Sequence, residues 1–313
     1  MSLNRKNRIL VCGHNGMVGS AIVRNLRAKN FTNLLLPGRS ELDLTDRNAV
    51  AQYFFEYQPE YVILAAAKVG GIQANMANPV EFLLDNINIQ NNVISQAYLN
   101  KVTRLLFLGS SCIYPKDCLQ PIKEEYLLTG ELEPTNEGYA LAKITGLKLL
   151  EYYRKQYDFN SISLLPCNLY GTNDNFNLAH AHVLSSLIKK LSDAKELNQP
   201  QIEVWGSGVA RREFMHVDDL AEAIYHFLEN DFDYNPVNIG WGCDISIKEL
   251  VHLVGQEVGY TGKVTWDNSK PDGMLRKCLD VSRMKAVGFT PKISLKEGIK
   301  QTVLEYTTIN RIA

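Results

Sequence analysis

Tyr139 and Lys143 stand four positions apart and have the side-chain types of a proton-transfer pair. The stretch 135–157 around them carries Leu141, Ile144, Leu147, Leu149 and Leu150 near helical period, after start signals at Pro134, Thr135 and Asn136. Positions four apart share one face of a helix, so Lys143 is expected beside Tyr139. An ordinary phenol, with a pKa of about 10, is a poor acid or base at neutral pH, and a neighbouring ammonium lowers that value. Tyr-x-x-x-Lys is also a common surface contact, so the pair becomes chemistry only if the rest of the chain supplies partners for it.

The chain upstream supplies them. An apolar run over 8–12 stops at Gly13-His14-Asn15-Gly16-Met17-Val18-Gly19, and Ala21, Ile22 and Leu26 follow with helical spacing. A strand, a glycine-rich turn and a helix put backbone N–H groups at the positive end of a helix dipole, where a pyrophosphate can bind. A second short strand over 34–36 ends before Arg39, at the place where an NAD site carries a carboxylate for the ribose. A guanidinium there suits a 2′-phosphate instead, and a solvated arginine is the other reading. The run 61–67 reads as a buried strand ending in small residues, Ala66 among them, as expected close to a cofactor.

A helix is expected over 79–100, then a strand over 105–108 that ends in Gly109-Ser110-Ser111-Cys112-Ile113-Tyr114-Pro115. Strands alternating with helices predict an α/β fold with a right-handed, doubly wound parallel sheet. Chemistry in such sheets sits at the carboxyl ends of the strands, which is where Ser110 and Cys112 fall.

The second half reads as a strand over 162–166, a loop Asn168-Leu169-Tyr170-Gly171, and a helix over 183–191 preceded by His180 and His182. Val204 to Gly208 reads as strand and turn, and His216-Val217-Asp218-Asp219 opens a helix to Leu228, the aspartates being read as caps. Val237 to Gly240 is expected to return to the sheet, with further helices over 246–259 and after Ser294. Lys270, Arg276 and Lys277 could meet nucleotide phosphates, with a mostly solvated cluster the preferred reading for the last two.

Composition narrows the class. A chain of 313 residues, 45% hydrophobic, can bury a large core. Lys+Arg 33 against Asp+Glu 34 leaves a net charge of -1, which disfavours nucleic acid or an anionic membrane as the main partner. The apolar run at 9–12 is too brief for a signal-peptide core, and none is long enough to span a bilayer, so a soluble, cytoplasmic protein is expected. Six cysteines without Cys-x-x-Cys spacing suggest neither a metal site nor a disulfide framework.

Gly13, Gly16 and Gly19, a serine after a later strand and Tyr-x-x-x-Lys beyond it resemble the extended short-chain dehydrogenase/reductase family. Longer strings are similar to its branch of GDP-4-keto-6-deoxy-sugar epimerase/reductases. These are Gly13-His14, Gly16 to Ser20, Ala65 to Ile72, Leu106 to Pro115, Leu132 to Glu137, Asn168 to Gly171, Val204 to Gly208, Arg212-Glu213-Phe214 and Lys270-Pro271-Asp272-Gly273. The resemblance covers nearly the whole chain. It implies a Rossmann domain for NADP over 1–171, with a later return at about 215–242. A smaller, mostly C-terminal α/β substrate region would then take 172–214 and 243–313.

The resemblance also implies roles. Ser110, Tyr139 and Lys143 would serve hydride transfer from NADPH to the C4 ketone of a GDP-linked 4-keto-6-deoxy sugar, giving a GDP-6-deoxy-hexose such as GDP-L-fucose. Cys112 and His182 match the acid/base pair that epimerises C3 and C5. Gly13, Asn15, Gly16, Met17, Val18, Gly19, Arg39, Ala66, Lys143 and Asn168 would hold NADP(H), and Lys190, Trp205, Arg212, Lys270 and Asp272 the substrate. A homodimer is implied. The chain departs from the family's pattern at Asn15 and Lys190, where arginines are common, and before His182, where 177–182 leaves His180 as an alternative acid. Two further readings stay open: a C4 reductase for another such sugar, for example a heptose, without epimerase activity, and a non-catalytic NADP-binding regulator.

Overall fold

The protein is described by a computed structural model over residues 3–177, 181–270 and 272–312, with backbone alone for 309–312. The first half alternates as the hydrophobic pattern requires: β1 (Ile9–Cys12), α1 (Met17–Ala28), β2 (Leu34–Leu35), α2 (Arg47–Tyr57), β3 (Tyr61–Leu64), α3 (Ile72–Ala77), α4 (Pro79–Leu99), β4 (Arg104–Leu108), α5 (Glu137–Tyr157) and β5 (Ser161–Pro166). Asp46 starts α2 by accepting from the amides of Asn48 and Ala49, satisfying N–H groups that the helix itself leaves unpaired.

The rest of the chain forms β6 (Asn168–Tyr170), α6 (Val183–Glu196), β7 (Gln201–Trp205), β8 (Arg211–Arg212), β9 (Phe214–His216), α7 (Val217–Glu229), β10 (Val237–Ile239), β11 (Ile245–Ser246), α8 (Ile247–Val258), β12 (Lys263–Asp267), β13 (Arg276–Lys277), α9 (Ser282–Ala286) and α10 (Leu295–Ile312). Ser246 and Glu249 make a reciprocal capping box at the head of α8, and Gly259 ends it in the left-handed conformation.

Six strands form one parallel sheet in the order β10-β5-β4-β3-β1-β2, the doubly wound arrangement that the sequence predicts. β1, β3, β4 and β5 are buried along their whole length, which is why they read as unbroken apolar runs rather than alternating ones. After β1 the chain moves to one side of the sheet for β2 and to the other for β3. The crevice for a ligand therefore opens at the carboxyl ends of β1 and β3.

A second core lies apart from the sheet, where Leu187 and Ile188 of α6 meet Leu250 and Val254 of α8, Ile202 of β7 and Ile299 of α10. Leu279, Val281, Met284 and Phe289 pack with the sheet instead, although the 243–313 division groups them with the second region.

Two local expectations change. Leu141 is 40% exposed, and the buried face of α5 is built from Ala140, Ala142, Ile144, Gly146, Leu147 and Leu150, with Lys143 among them. Gly146 is required there because a Cβ would lie 2.5 Å from Oε1 of Gln90 and 2.9 Å from the Phe107 ring. At the head of α7 the capping side chain is His216, whose Nδ1 accepts from the Asp218 amide at 3.3 Å. Asp219 instead accepts from the amides of Lys292 and Ile293 at 3.0 and 2.8 Å, tying α7 to the chain before α10. Among the described residues, no helix is long and apolar enough to cross a membrane.

Candidate active site

A cavity of about 630 Å³ opens over the carboxyl ends of the sheet strands. Gly13, Asn15, Gly16, Met17, Val18, Gly19, Arg39, Ala66, Ser110, Cys112, Tyr139, Lys143, Asn168 and His182 all line it. The five candidate catalytic residues and the whole candidate cofactor set thus share one wall-to-wall space. His180, the alternative acid, lies outside the described residues.

The floor is the glycine-rich turn. Gly13 has φ +84°, and a Cβ there would lie 2.8 Å from Cα of Ala66 at the end of β3. A Cβ on Gly19 would lie 2.0 Å from the Gly13 carbonyl oxygen, so α1 can start this close to β1 only with glycine. The result is a shallow backbone cradle at a helix N-terminus, which fits the pyrophosphate of a dinucleotide. Arg39 stands exposed at the far end of the same cavity, beyond β2. Asn15, also exposed, gives its backbone carbonyl to Asn173 at 3.0 Å.

The catalytic trio comes from two elements. β4 delivers Ser110 at its carboxyl end, where Oγ accepts from the Cys112 amide at 3.2 Å and hydrogen-bonds the Tyr139 hydroxyl. The first turns of α5 deliver Tyr139 and Lys143. The Lys143 ammonium is buried, donates to the Leu108 carbonyl at 2.8 Å, and lies 5.9 Å from the centre of the Tyr139 ring.

Electrostatics differ here from the sequence expectation. Burial pushes the Tyr139 phenol above its ordinary value, a nearby Cys112 charge adds to this, and the Ser110 hydrogen bond only partly opposes it. Burial also lowers Lys143 to about 7, so near neutrality its charge is only partly present. With the ammonium turned to Leu108, Lys143 does not bring the phenol down in this geometry.

The Cys112 thiol has an unforeseen neighbour. Burial pushes this thiol up, but the Lys277 charge and hydrogen bonds from Ser110, Lys277 and Asn136 outweigh it, leaving the group below its ordinary value. The Lys277 ammonium lies 3.5 Å from the sulfur, so it is not part of a solvated cluster as the sequence suggests. Asn136, which reads as a helix-start signal, makes no side-chain cap on α5 and faces Cys112 instead. His182 is the exposed N-cap residue of α6 on the same cavity.

Among the described residues, the cavity wall does not include Lys190, Trp205, Arg212, Lys270 or Asp272. Lys190 donates to the Glu203 carbonyl on β7. Trp205 is 57% exposed with the Lys270 ammonium 5.4 Å from its ring centre. Asp272 accepts from the amide and hydroxyl of Ser207, and Arg212 donates to the backbone carbonyls of Met274 and Asp272. Trp205 thus presents an exposed aromatic face with a cation at its edge, while Arg212 and Asp272 fasten the chain around Ser207 and Met274.

The model of the NAD dependent epimerase/dehydratase family matches residues 9–240. The chain is 50% identical over 299 residues to GDP-L-fucose synthase 1 of Arabidopsis thaliana, covering 96% of this chain and 93% of that one. It is also similar to the crystal structure of a GDP-6-OMe-4-keto-L-xylo-heptose reductase from C. jejuni, with a TM-score of 0.93 and 36% identity over 99% of this chain and 100% of that one. A GDP-L-fucose synthetase from Naegleria fowleri, solved bound to NADP, aligns with a TM-score of 0.91 at 28% identity, covering 100% of this chain and 98% of that one.

Proposed function

The chain belongs to the NAD dependent epimerase/dehydratase family, and from that premise we propose that it is an NADPH-dependent epimerase/reductase that converts a GDP-4-keto-6-deoxy sugar to GDP-L-fucose. The observation that carries this reading is the convergence of Ser110, Tyr139, Lys143 and Cys112 with the glycine cradle in one cavity. The likeness to relatives named for GDP-L-fucose synthesis and to a neighbour solved with NADP supports the choice of substrate and cofactor.

NADPH, when bound, supplies the hydride. Gly13, Gly16 and Gly19 would take the pyrophosphate, with Asn15, Met17, Val18, Ala66 and Asn168 around the rest of the cofactor, and Arg39 would take the 2′-phosphate. Reduction at C4 turns the ketone oxygen into an alkoxide. Ser110 donates a hydrogen bond to that oxygen, and Tyr139 gives it a proton. A phenol with a raised pKa suits this direction, because an alkoxide is more basic than a phenolate and takes the proton downhill. Lys143 borders the cofactor and would bind its ribose, its ammonium in this geometry being held by the Leu108 carbonyl rather than by the phenol.

C3 and C5 flank the same ketone, so a proton lost from either gives an enediolate that the Ser110 and Tyr139 hydroxyls stabilise. The Cys112 thiolate, favoured by Lys277, removes the proton, and His182 returns one from the opposite face. Trp205, Lys270, Asp272, Lys190 and Arg212 would receive the nucleotide end of the substrate. We place the cofactor on the sheet domain, 1–171 with its return at about 215–242, and the substrate on 172–214 and 243–313.

The enzyme is proposed to be cytoplasmic and a homodimer. Val80 and Leu84 on α4 and Leu141 and Tyr152 on α5 remain exposed on two helices packed together, an apolar surface suited to a second copy. A second reading, C4 reduction of another GDP-4-keto sugar without epimerisation, is favoured by the likeness to the heptose reductase. NADPH oxidation across a panel of 4-keto nucleotide sugars, with product stereochemistry determined, separates the two. GDP-L-fucose from GDP-4-keto-6-deoxymannose supports the first, and a reduced but unepimerised product the second.

A further inference from the structure

Glu213 lies between β8 and β9, 1% exposed, with a carboxylate that reaches no solvent and serves no role in the chemistry above. Its contacts are nearly all to backbone. Oε1 accepts from the Gly242 amide at 2.7 Å and Oε2 from the Leu279 amide at 2.8 Å. Its own amide donates to the Lys277 carbonyl at 3.2 Å, and its carbonyl accepts from Asn168 Nδ2 at 2.8 Å. Gly240 leaves room for the side chain, since a Cβ there would lie 2.2 Å from Oε1.

Burying a carboxylate is expensive, and a chain that needed only packing at this position could use an apolar residue. What the carboxylate does is tie the segment just after β13, at the Leu279 amide, to the turn at Gly242. β13 is only two residues long, so its own ladder to β8 fixes it weakly. Glu213 holds the Lys277 carbonyl through its own backbone amide and the Leu279 amide through Oε2, so its side chain anchors the chain two residues beyond the lysine whose ammonium touches Cys112. The other end of that grip is the turn at Gly242.

We propose that Glu213 is a positioning residue that fixes Lys277 against the Cys112 sulfur and so sets the thiolate available for proton abstraction. The epimerase half of this assignment rests on the function proposed above. Two acceptor oxygens are needed, one for each amide. Protonation, or replacement of one oxygen by an NH2 group, turns an acceptor into a donor facing an N–H and breaks one side of the grip. Burial already raises this carboxyl to about 7, against the lowering effect of the amides of Leu279, Gly242 and Trp241, so the grip operates close to its limit at neutral pH. The titratable groups around it are Asp244, Cys167, Cys243 and Cys278.

The test is peptide-resolved iodoacetamide alkylation of Cys112 in the full-length protein as a function of pH. Glu213→Gln is expected to move the midpoint up by about one unit, cutting the alkylation rate below both midpoints about tenfold. Lys277→Met must move it in the same direction. A Glu213→Gln midpoint equal to wild type, or a Lys277→Met midpoint that does not move, overturns the assignment. If Glu213→Gln does not fold, Gly240→Ala displaces the same carboxylate, and an unmoved midpoint in that variant overturns it equally. Deuterium uptake at C3 and C5 by the wild type is measured separately. Its absence overturns the epimerase reading alone, while an unmoved midpoint overturns the Glu213 assignment alone.

Discussion

The Lys277 ammonium and the Cys112 sulfur meet at 3.5 Å across 165 positions of sequence. The contact joins β13 to the turn after β4, and it places a cation where a thiol needs one to ionise near neutral pH. Lys277→Met removes the charge and keeps the length of the stem. Exchange of C3 and C5 protons should slow at least about tenfold at neutral pH and recover as pH is raised past the ordinary thiol value of about 8.5. An exchange rate indifferent to this substitution would remove Lys277 from the account.

Tyr139→Phe deletes the hydroxyl and leaves the ring in the wall of the cavity. Loss of a positioned general acid typically costs on the order of 10²–10⁴ in rate. Hydride transfer from NADPH to the ketone should fall by that amount while the cofactor still binds, read by fluorescence titration. Wild-type turnover in the Phe variant would show that the proton comes from elsewhere.

Lys143 carries a stability signature of opposite sign to its catalytic one. Its ordinary value of 10.5 falls to about 7 in the folded protein through burial. Between those two values the unfolded chain binds a proton that the folded one does not, so stability without ligand rises with pH across that window. Below about 7 both states hold the proton and the penalty is constant. Lys143→Met should abolish most turnover, flatten this pH dependence and stabilise the protein at pH 7. The gain is roughly 1–3 kcal/mol, after allowing for the Leu108 carbonyl left without its donor. Denaturant melts at pH 7 and 10 check it, and a variant less stable at pH 7 with an unchanged slope contradicts it.

What was legible in the sequence is what lies next to an apolar run. The Gly13–Gly19 turn follows β1, Ser110 and Cys112 follow β4, and Tyr139 and Lys143 share one helical face, so local pattern and sheet topology together place all of them. Lys277 was legible only as a possible phosphate contact, not as the partner of Cys112, and Glu213 was not legible as a site residue. Both sit in or beside two-residue strands without periodic signal, and their partners are brought together only by packing of distant segments. Asn136 stands at the N-cap position of α5, as its start signal predicts, but residue type alone does not show that its side chain faces Cys112 rather than the helix amides. Lys143 shows the limit of periodicity, since a charged type in a helical pattern is normally assigned to solvent, and here it is buried.

Arg39 should govern the choice between NADPH and NADH. Its guanidinium stands beside the cavity where an NAD site would present a carboxylate. A charge-assisted contact to a phosphate contributes roughly 1.5–3 kcal/mol, so Arg39→Ala should narrow the ratio of kcat/KM for the two cofactors by about one to two orders of magnitude. The loss should fall on NADPH, leaving NADH nearly unaffected. Equal efficiency with both cofactors in the wild type would mean that Arg39 makes no such contact.

Cys112→Ser separates the two halves of the proposed reaction. The hydroxyl keeps the size of the side chain and its place beside Ser110 and Lys277, but serine does not ionise in the working range, so proton abstraction should stop. Hydride transfer does not pass through the thiol and needs only Ser110, Tyr139 and Lys143. In D₂O, wild-type enzyme with NADP⁺ and GDP-4-keto-6-deoxymannose should place deuterium at C3 and C5. The serine variant should place none, while retaining measurable NADPH-dependent reduction of the unepimerised ketone. Deuterium uptake undiminished in Cys112→Ser would transfer the base to another group on the cavity wall. No uptake by the wild type, on a ketone that it reduces, would favour the plain C4 reductase, with Lys277 then serving the bound nucleotide sugar through its charge alone.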